Sequence, residues 1–173
     1  MRATSADDAP TASALAGRAI GASRFIDPRT GQPVDGTIGN GWLTVTGFGV
    51  SRGALQAAGT LAGRCAADEV TGPTFTLEIT VPADIGVLEA HAECRTLRIR
   101  IEPVDVDGPR FALHTVEFVV VLTAPTGPGN LVGNLLVTIG NALRSGAPAT
   151  HVADLLNHVV ALARRAAPCS SGK

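Results

Sequence analysis

The point at which hydrophobic periodicity changes along this chain limits its fold more than any other feature. Apolar residues recur at every second position over much of the stretch from Gly41 to Thr123, and at helical spacing from Asn130 to Arg165. A period of two sets one face of a strand against a core, whereas a period near 3.6 does the same for a helix. Strands therefore come first and helices last. That order disfavours a parallel βαβ architecture, which interleaves the two, and predicts an α+β fold. The expected architecture is a curved antiparallel β-sheet, sandwich- or barrel-like, followed by a C-terminal helical hairpin.

The first arm alternates Leu43, Val45 and Gly47 with Trp42, Thr44, Thr46 and Phe48. Ser51-Arg52-Gly53 then turns the chain, and Leu55, Ala57, Gly59 and Leu61 return it, which predicts a hairpin. Phe75, Leu77, Ile79 and Val81 give the cleanest strand, with Thr74, Thr76, Glu78 and Thr80 on its wet face. The phase slips by one between Cys94 and Leu97, which predicts a bulge or a strand break. After the turn Asp107-Gly108-Pro109, the run from Phe111 to Thr123 is apolar on both faces from Val116 onward. It reads as a central strand covered on both sides.

Two helices are expected to supply the cover. The first spans 130–144, with Asn130 as N-cap and Leu131, Leu135, Leu136, Ile139 and Leu143 as its stripe. The second spans 150–165, capped by Thr150, with Val152, Leu155, Leu156, Val159, Leu162 and Ala163 inward and Arg164-Arg165 at its negative end. Residues 1–24, rich in Ala, Ser, Thr, Asp and Gly, read as a flexible N-terminal arm, and Phe25-Ile26 as the start of order. A single β-rich domain over 25–167 and a tail over 168–173 complete the expectation, one domain being usual for 173 residues.

Composition narrows the function classes. Hydrophobic residues make up 45% and charged residues 17%, well away from a disordered composition. A net charge of −1 and 3% aromatics argue against nucleic acid as a partner, which selects basic stripes with stacking rings. No apolar run reaches the roughly 20 residues of a membrane span. The first eight residues lack the apolar stretch of a signal peptide, so the chain reads as cytoplasmic or as a mature secreted form. Cys65, Cys94 and Cys169 show no CxxC spacing, which leaves one disulfide and a spare thiol as one reading.

Three segments carry a family resemblance. They are Leu43 to Gly63 (LTVTGFGVSRGALQAAGTLAG), Cys94 to Val106 (CRTLRIRIEPVDV) and Thr123 to Leu136 (TAPTGPGNLVGNLL). Together they resemble a family of small, mostly secreted, uncharacterised bacterial β-rich proteins, over roughly residues 37–143. The resemblance implies secretion, and it implies no activity. Family members place a second cysteine directly after the AsnLeuLeu element, to staple the helix to the position of Cys94. Val137 stands there in this chain. Cys65 is then the candidate replacement partner for Cys94, on condition that the second strand runs beside the fourth.

Glu89, His91 and Glu93 share one face of a strand and form a candidate metal or acid/base trio. The same residues also read as a solvated face running into Arg95, Arg98 and Arg100. His151, Asp154 and His158 line one side of the last helix, a second metal or proton-relay candidate without HExxH spacing. His114 with Glu117 is the candidate catalytic pair, against the reading of His114 as a hydrogen-bonded buried histidine. No nucleophile elbow, P-loop or GxGxxG follows a strand, so no cofactor is implied. The glycines at 133 and 140 lie two turns apart and predict a helix pressed onto neighbouring backbone.

The leading functional expectation is a non-enzymatic binding or structural module, with a small hydrophobic ligand as candidate cargo if the sheet encloses a cavity rather than a solid core. The alternatives are a small barrel-type enzyme with His114 or Glu117 inside an apolar cavity, and a homo-oligomeric assembly protein. They separate on one observable: an enzyme needs a polar group with shifted ionisation facing a cavity.

Overall fold

A computed structural model of the chain describes residues 15–88 and 94–162. Two short strands, β1 (Ala16–Arg18) and β2 (Gly21–Ile26), precede a meander of β3 (Pro33–Ser51), β4 (Ala54–Ala67), β5 (Val70–Leu88) and β6 (Cys94–Ile101). Then come β7 (Asp105–Asp107), β8 (Phe111–Thr115), β9 (Phe118–Pro125), α1 (Leu131–Arg144) and α2 (Ala149–Leu162). The strands form one curled antiparallel sheet in the order β7-β8-β2-β3-β4-β5-β6-β9, with β1 continuing the β2 side of β3. The α+β fold with a curved sheet and a closing helical hairpin is therefore present.

Backbone chemistry accounts for the hairpin at the sheet's centre. Arg52 and Gly53 both take positive φ, 52° and 78°, the pair of left-handed residues that a two-residue primed turn requires. Ser51 consequently pairs with Ala54, and the register runs on down β3 and β4. It shifts between Val45 and Gly47, leaving Thr46 as the extra residue of a bulge. This moves Phe48 from the wet face, where simple alternation puts it, to the core, where it is 7% exposed.

Three other expectations change. The arm over 1–24 does not extend as far as residue 24: Leu15 is 1% exposed, and residues 16–18 and 21–24 are strand. Leu15 and Ala19 are held by Val45 N–H donating to Leu15 O (2.8 Å) and Ala19 N–H donating to Gly41 O (2.9 Å). The run 111–123 is two strands that divide at Val116-Glu117 and lie toward opposite ends of the order. β9 is terminal, not central, and Val119 and Val121 are exposed on its outer face. The bulge or break expected between Cys94 and Leu97 is not there: β6 pairs with β9 in unbroken register from Cys94 to Ile101.

The helices match their predicted positions closely, but their caps differ. Asn130 makes no side-chain cap bond; its Nδ2 donates to Thr126 O at 2.9 Å instead. Thr150 lies inside α2, whose first turn is anchored by His151 N–H donating to Pro148 O at 3.0 Å. Residues 163–165 of the expected second helix lie outside the described residues.

Both helices join the inward rows of the sheet in one core. Leu136, Ile139 and Ala142 of α1 and Val152, Leu156 and Val159 of α2 belong to the same buried cluster as Leu43, Leu61, Leu97 and Ile99. Each such aliphatic side chain contributes about 1.5–3 kcal/mol on full burial. The helices thus cover the inward side of the sheet, α1 against β6 and β9 and α2 against β3 and β4.

Candidate functional site

The groove over β2, β7 and β8 follows from register. Ala22 and Asp105 both stand opposite His114, while Arg24 and Asp107 both stand opposite Ala112. Asp35 pairs with Arg24 from β3. Small residues at Ala22, Gly36 and Ala112 leave a depression between taller polar neighbours, an open groove of about 470 Å³. Gly21 makes the strand contact possible, since a Cβ there would lie 2.2 Å from His114 O.

His114 Nδ1 is hydrogen-bonded to Asp105 Oδ1. A carboxylate in that place orients the ring and leaves Nε2 as the nitrogen able to exchange a proton with a bound molecule. Both side chains are well exposed, at 61% and 75%. Arg24 Nε lies 3.6 Å from Asp35 Oδ1 across the neighbouring strand pair. The groove therefore presents the Arg24–Asp35 ion pair, the His114–Asp105 hydrogen bond and Asp107 on one open face.

The catalytic pair read from the sequence does not assemble. Glu117 accepts from Arg100 at 2.7 Å, and that hydrogen bond holds its carboxyl below the ordinary value while raising the guanidinium. His114 instead pairs with Asp105, and both it and Glu117 face outward rather than into an apolar interior. His151, Asp154 and His158 are exposed along α2, and no group of three metal-binding side chains converges among the described residues. Glu89, His91 and Glu93 lie outside the described residues.

The cysteines also depart from expectation. Cys65 is a free thiol with 0% exposure, and burial raises its pKa. Cys94 is disulfide-bonded, so Cys65 and Cys94 are not each other's partners. β4 runs beside β5 rather than β6, which removes the condition that pairing needed. Cys169 lies outside the described residues.

Two residues escaped the sequence reading. Asp105 could have been found by folding the chain back about Gly108-Pro109, which brings position 105 to 114. Asn157 carried no signal, because a lone Asn on the polar side of an amphipathic helix looks solvated. In the fold its Nδ2 donates to Phe48 O (2.9 Å) while its Oδ1 accepts from Phe48 N–H (2.8 Å). No family model, curated protein or solved structure matches this chain.

Proposed function

We propose that the protein is a non-catalytic binding or structural module that acts through the outside of its curled sheet in an oxidising compartment. One observation carries the reading: the inward rows of sheet and helices share a single apolar core, whereas the described histidines and Glu117 stand outside it. Among the described residues, displaced ionisation belongs to Asp27 in a turn, to the Arg100–Glu117 surface pair and to the buried thiol of Cys65. An enzyme of the barrel type would place such a group over a cavity. The bonded state of Cys94 supports the compartment, because disulfides persist where thiols are not kept reduced.

Native mass spectrometry of protein from its own host tests this. The expected species is the bare chain or a whole-number multiple of it. A retained molecule of a few hundred daltons that survives a His114→Ala change would overturn the solid interior and restore a hydrophobic cargo. A second reading, acid/base chemistry in the groove, is favoured by the orientation of His114 by Asp105. A retained polar molecule that the wild-type protein converts chemically and His114→Ala does not would establish it in place of the first, whereas one merely retained by the wild type and lost on His114→Ala fits the first reading.

A further inference from the structure

We infer that Asn40 is a site of spontaneous covalent modification: it closes a succinimide with Gly41, deamidates to isoaspartate, and thereby releases β1 from β3. The fold itself selects the reactive pair. The register of β3 on β4 steps from Gly39 opposite Arg64 to Trp42 opposite Ala62, so Asn40 and Gly41 together face the single Gly63 as a bulge. Asn40 takes φ 50°, a left-handed backbone that glycine adopts freely and that asparagine tolerates better than most side-chain-bearing residues. Gly41 is imposed by packing, because a Cβ there would lie 2.4 Å from Ala19 O and 2.6 Å from Ile38 Cγ2. Of the chain's five asparagines, Asn40 alone is followed by glycine.

The chemistry needs water and nothing else. The Gly41 backbone nitrogen attacks Asn40 Cγ and gives up its proton, a C–N bond closes a five-membered imide, and the side-chain nitrogen leaves as ammonia. Water then opens the ring. Attack at the former side-chain carbonyl gives aspartate, and attack at the main-chain carbonyl gives isoaspartate, whose backbone runs through the old side chain. No side chain on residue 41 obstructs closure, and the bulge leaves Asn40 without a Cα partner on β4. Asn40 is exposed, and among the described residues its amide makes no hydrogen bond that would hold it away from the attack. Either product adds one negative charge to a chain whose net charge is −1.

Isoaspartate inserts one methylene into the main chain between residues 40 and 41, where the packing has no room for it. Gly41 O accepts the Ala19 N–H at 2.9 Å, and Ala19 O crowds Gly41 from the other side. Directly beyond the bulge, Trp42, Leu43 and Thr44 pair with Arg18, Gly17 and Ala16 of β1. A longer backbone at residue 40 moves the Gly41 carbonyl away from Ala19 and breaks that register, so the segment carrying Leu15 to Ala19 loses its seat. Arg18, already exposed on this short strand, then becomes open to protease.

The test is a time course of the folded full chain, kept warm at mildly alkaline pH. Tryptic peptide 30–52 contains Asn40 as its one asparagine and is expected to gain about one dalton, NH2 being replaced by OH. Fragment ions should place the gain at residue 40, and protein isoaspartyl methyltransferase should label the product. Brief trypsin treatment of the aged, folded protein should cut after Arg18 several-fold faster than in fresh protein. Asn40→Gly keeps the left-handed bulge and removes the reacting amide, so it is expected to show neither the label nor the faster cut. A peptide 30–52 that stays unchanged in the folded chain but converts in urea would overturn the proposal, since the bulge would then protect the pair. Conversion without faster cleavage after Arg18 would overturn the release of β1. Should Asn40→Gly fail to fold, the wild-type time course decides alone.

Discussion

The two helices bury similar apolar stripes, yet they dock on the sheet by different means. α1 docks backbone to backbone: Gly133 lies so close to Pro125 O that no side chain fits between them. The loop ahead of it is fixed by Asn134, whose Nδ2 donates to Gly127 O (2.9 Å) and whose Oδ1 accepts from Gly127 N–H (3.0 Å). α2 docks through a side chain. Beyond the pairing of Ala16 with Thr44, β1 runs out along β3, and the amide of Asn157 takes the place of a neighbouring strand at Phe48. The difference teaches that a helix can be held to a sheet either by removing atoms or by supplying one well-placed amide.

Gly133→Ala should separate the two modes most sharply. Its Cβ meets backbone that cannot yield without lifting the helix, so a loss of about 3 kcal/mol or more is expected, read by denaturant unfolding. The same change at Gly140, where a Cβ would meet only Val87 Cγ2 at 3.4 Å, should cost far less. Equal losses at 133 and 140 would sink the backbone-contact account. Asn157→Ala strips both partners from Phe48 and should cost about 1–3 kcal/mol, the range for partly buried groups left unpaired. Asn134→Ala removes two exposed hydrogen bonds at Gly127 and should cost about 1 kcal/mol by the same measurement.

A pair on the sheet away from both docking contacts serves as the reference. Arg100 depresses the Glu117 pKa below 4.5, so its stabilisation is present above that value and is lost as pH falls through the lower folded pKa. Carboxyl NMR should place the Glu117 midpoint below 4.5 and return it there in Arg100→Gln. Because both groups are exposed, the melting change should be the smallest of the series and vanish in high salt.

Much of the fold was legible, for reasons visible in particular residues. Strands before helices, the Arg52-Gly53 turn and the close approach at Gly133 all rest on local patterns that need no partner. What was hidden depends on the partner. The phase of Phe48 is set by an unpaired Thr46 that only the register with β4 defines. Val119 and Val121 look like core in sequence, since apolar residues on both faces are the mark of a central strand, but terminal position leaves them exposed. The groove was half legible: His114 stood out, while Asp105 became its partner only through a hairpin register.

The contact between Asn157 and Phe48 joins residues 109 positions apart, and that span has a consequence for biosynthesis. The meander from β3 to β6 is built from neighbouring hairpins, so it can pair as it emerges from the ribosome. Its concave row, Leu43, Leu61, Leu97 and Ile99, stays bare until α1 and α2 arrive. At about 5–20 residues per second that interval lasts several seconds, during which the nascent sheet is a target for chaperones and for its own neighbours on the same message. Translation that stops short of α2 would leave a sticky half-shell rather than a smaller stable protein.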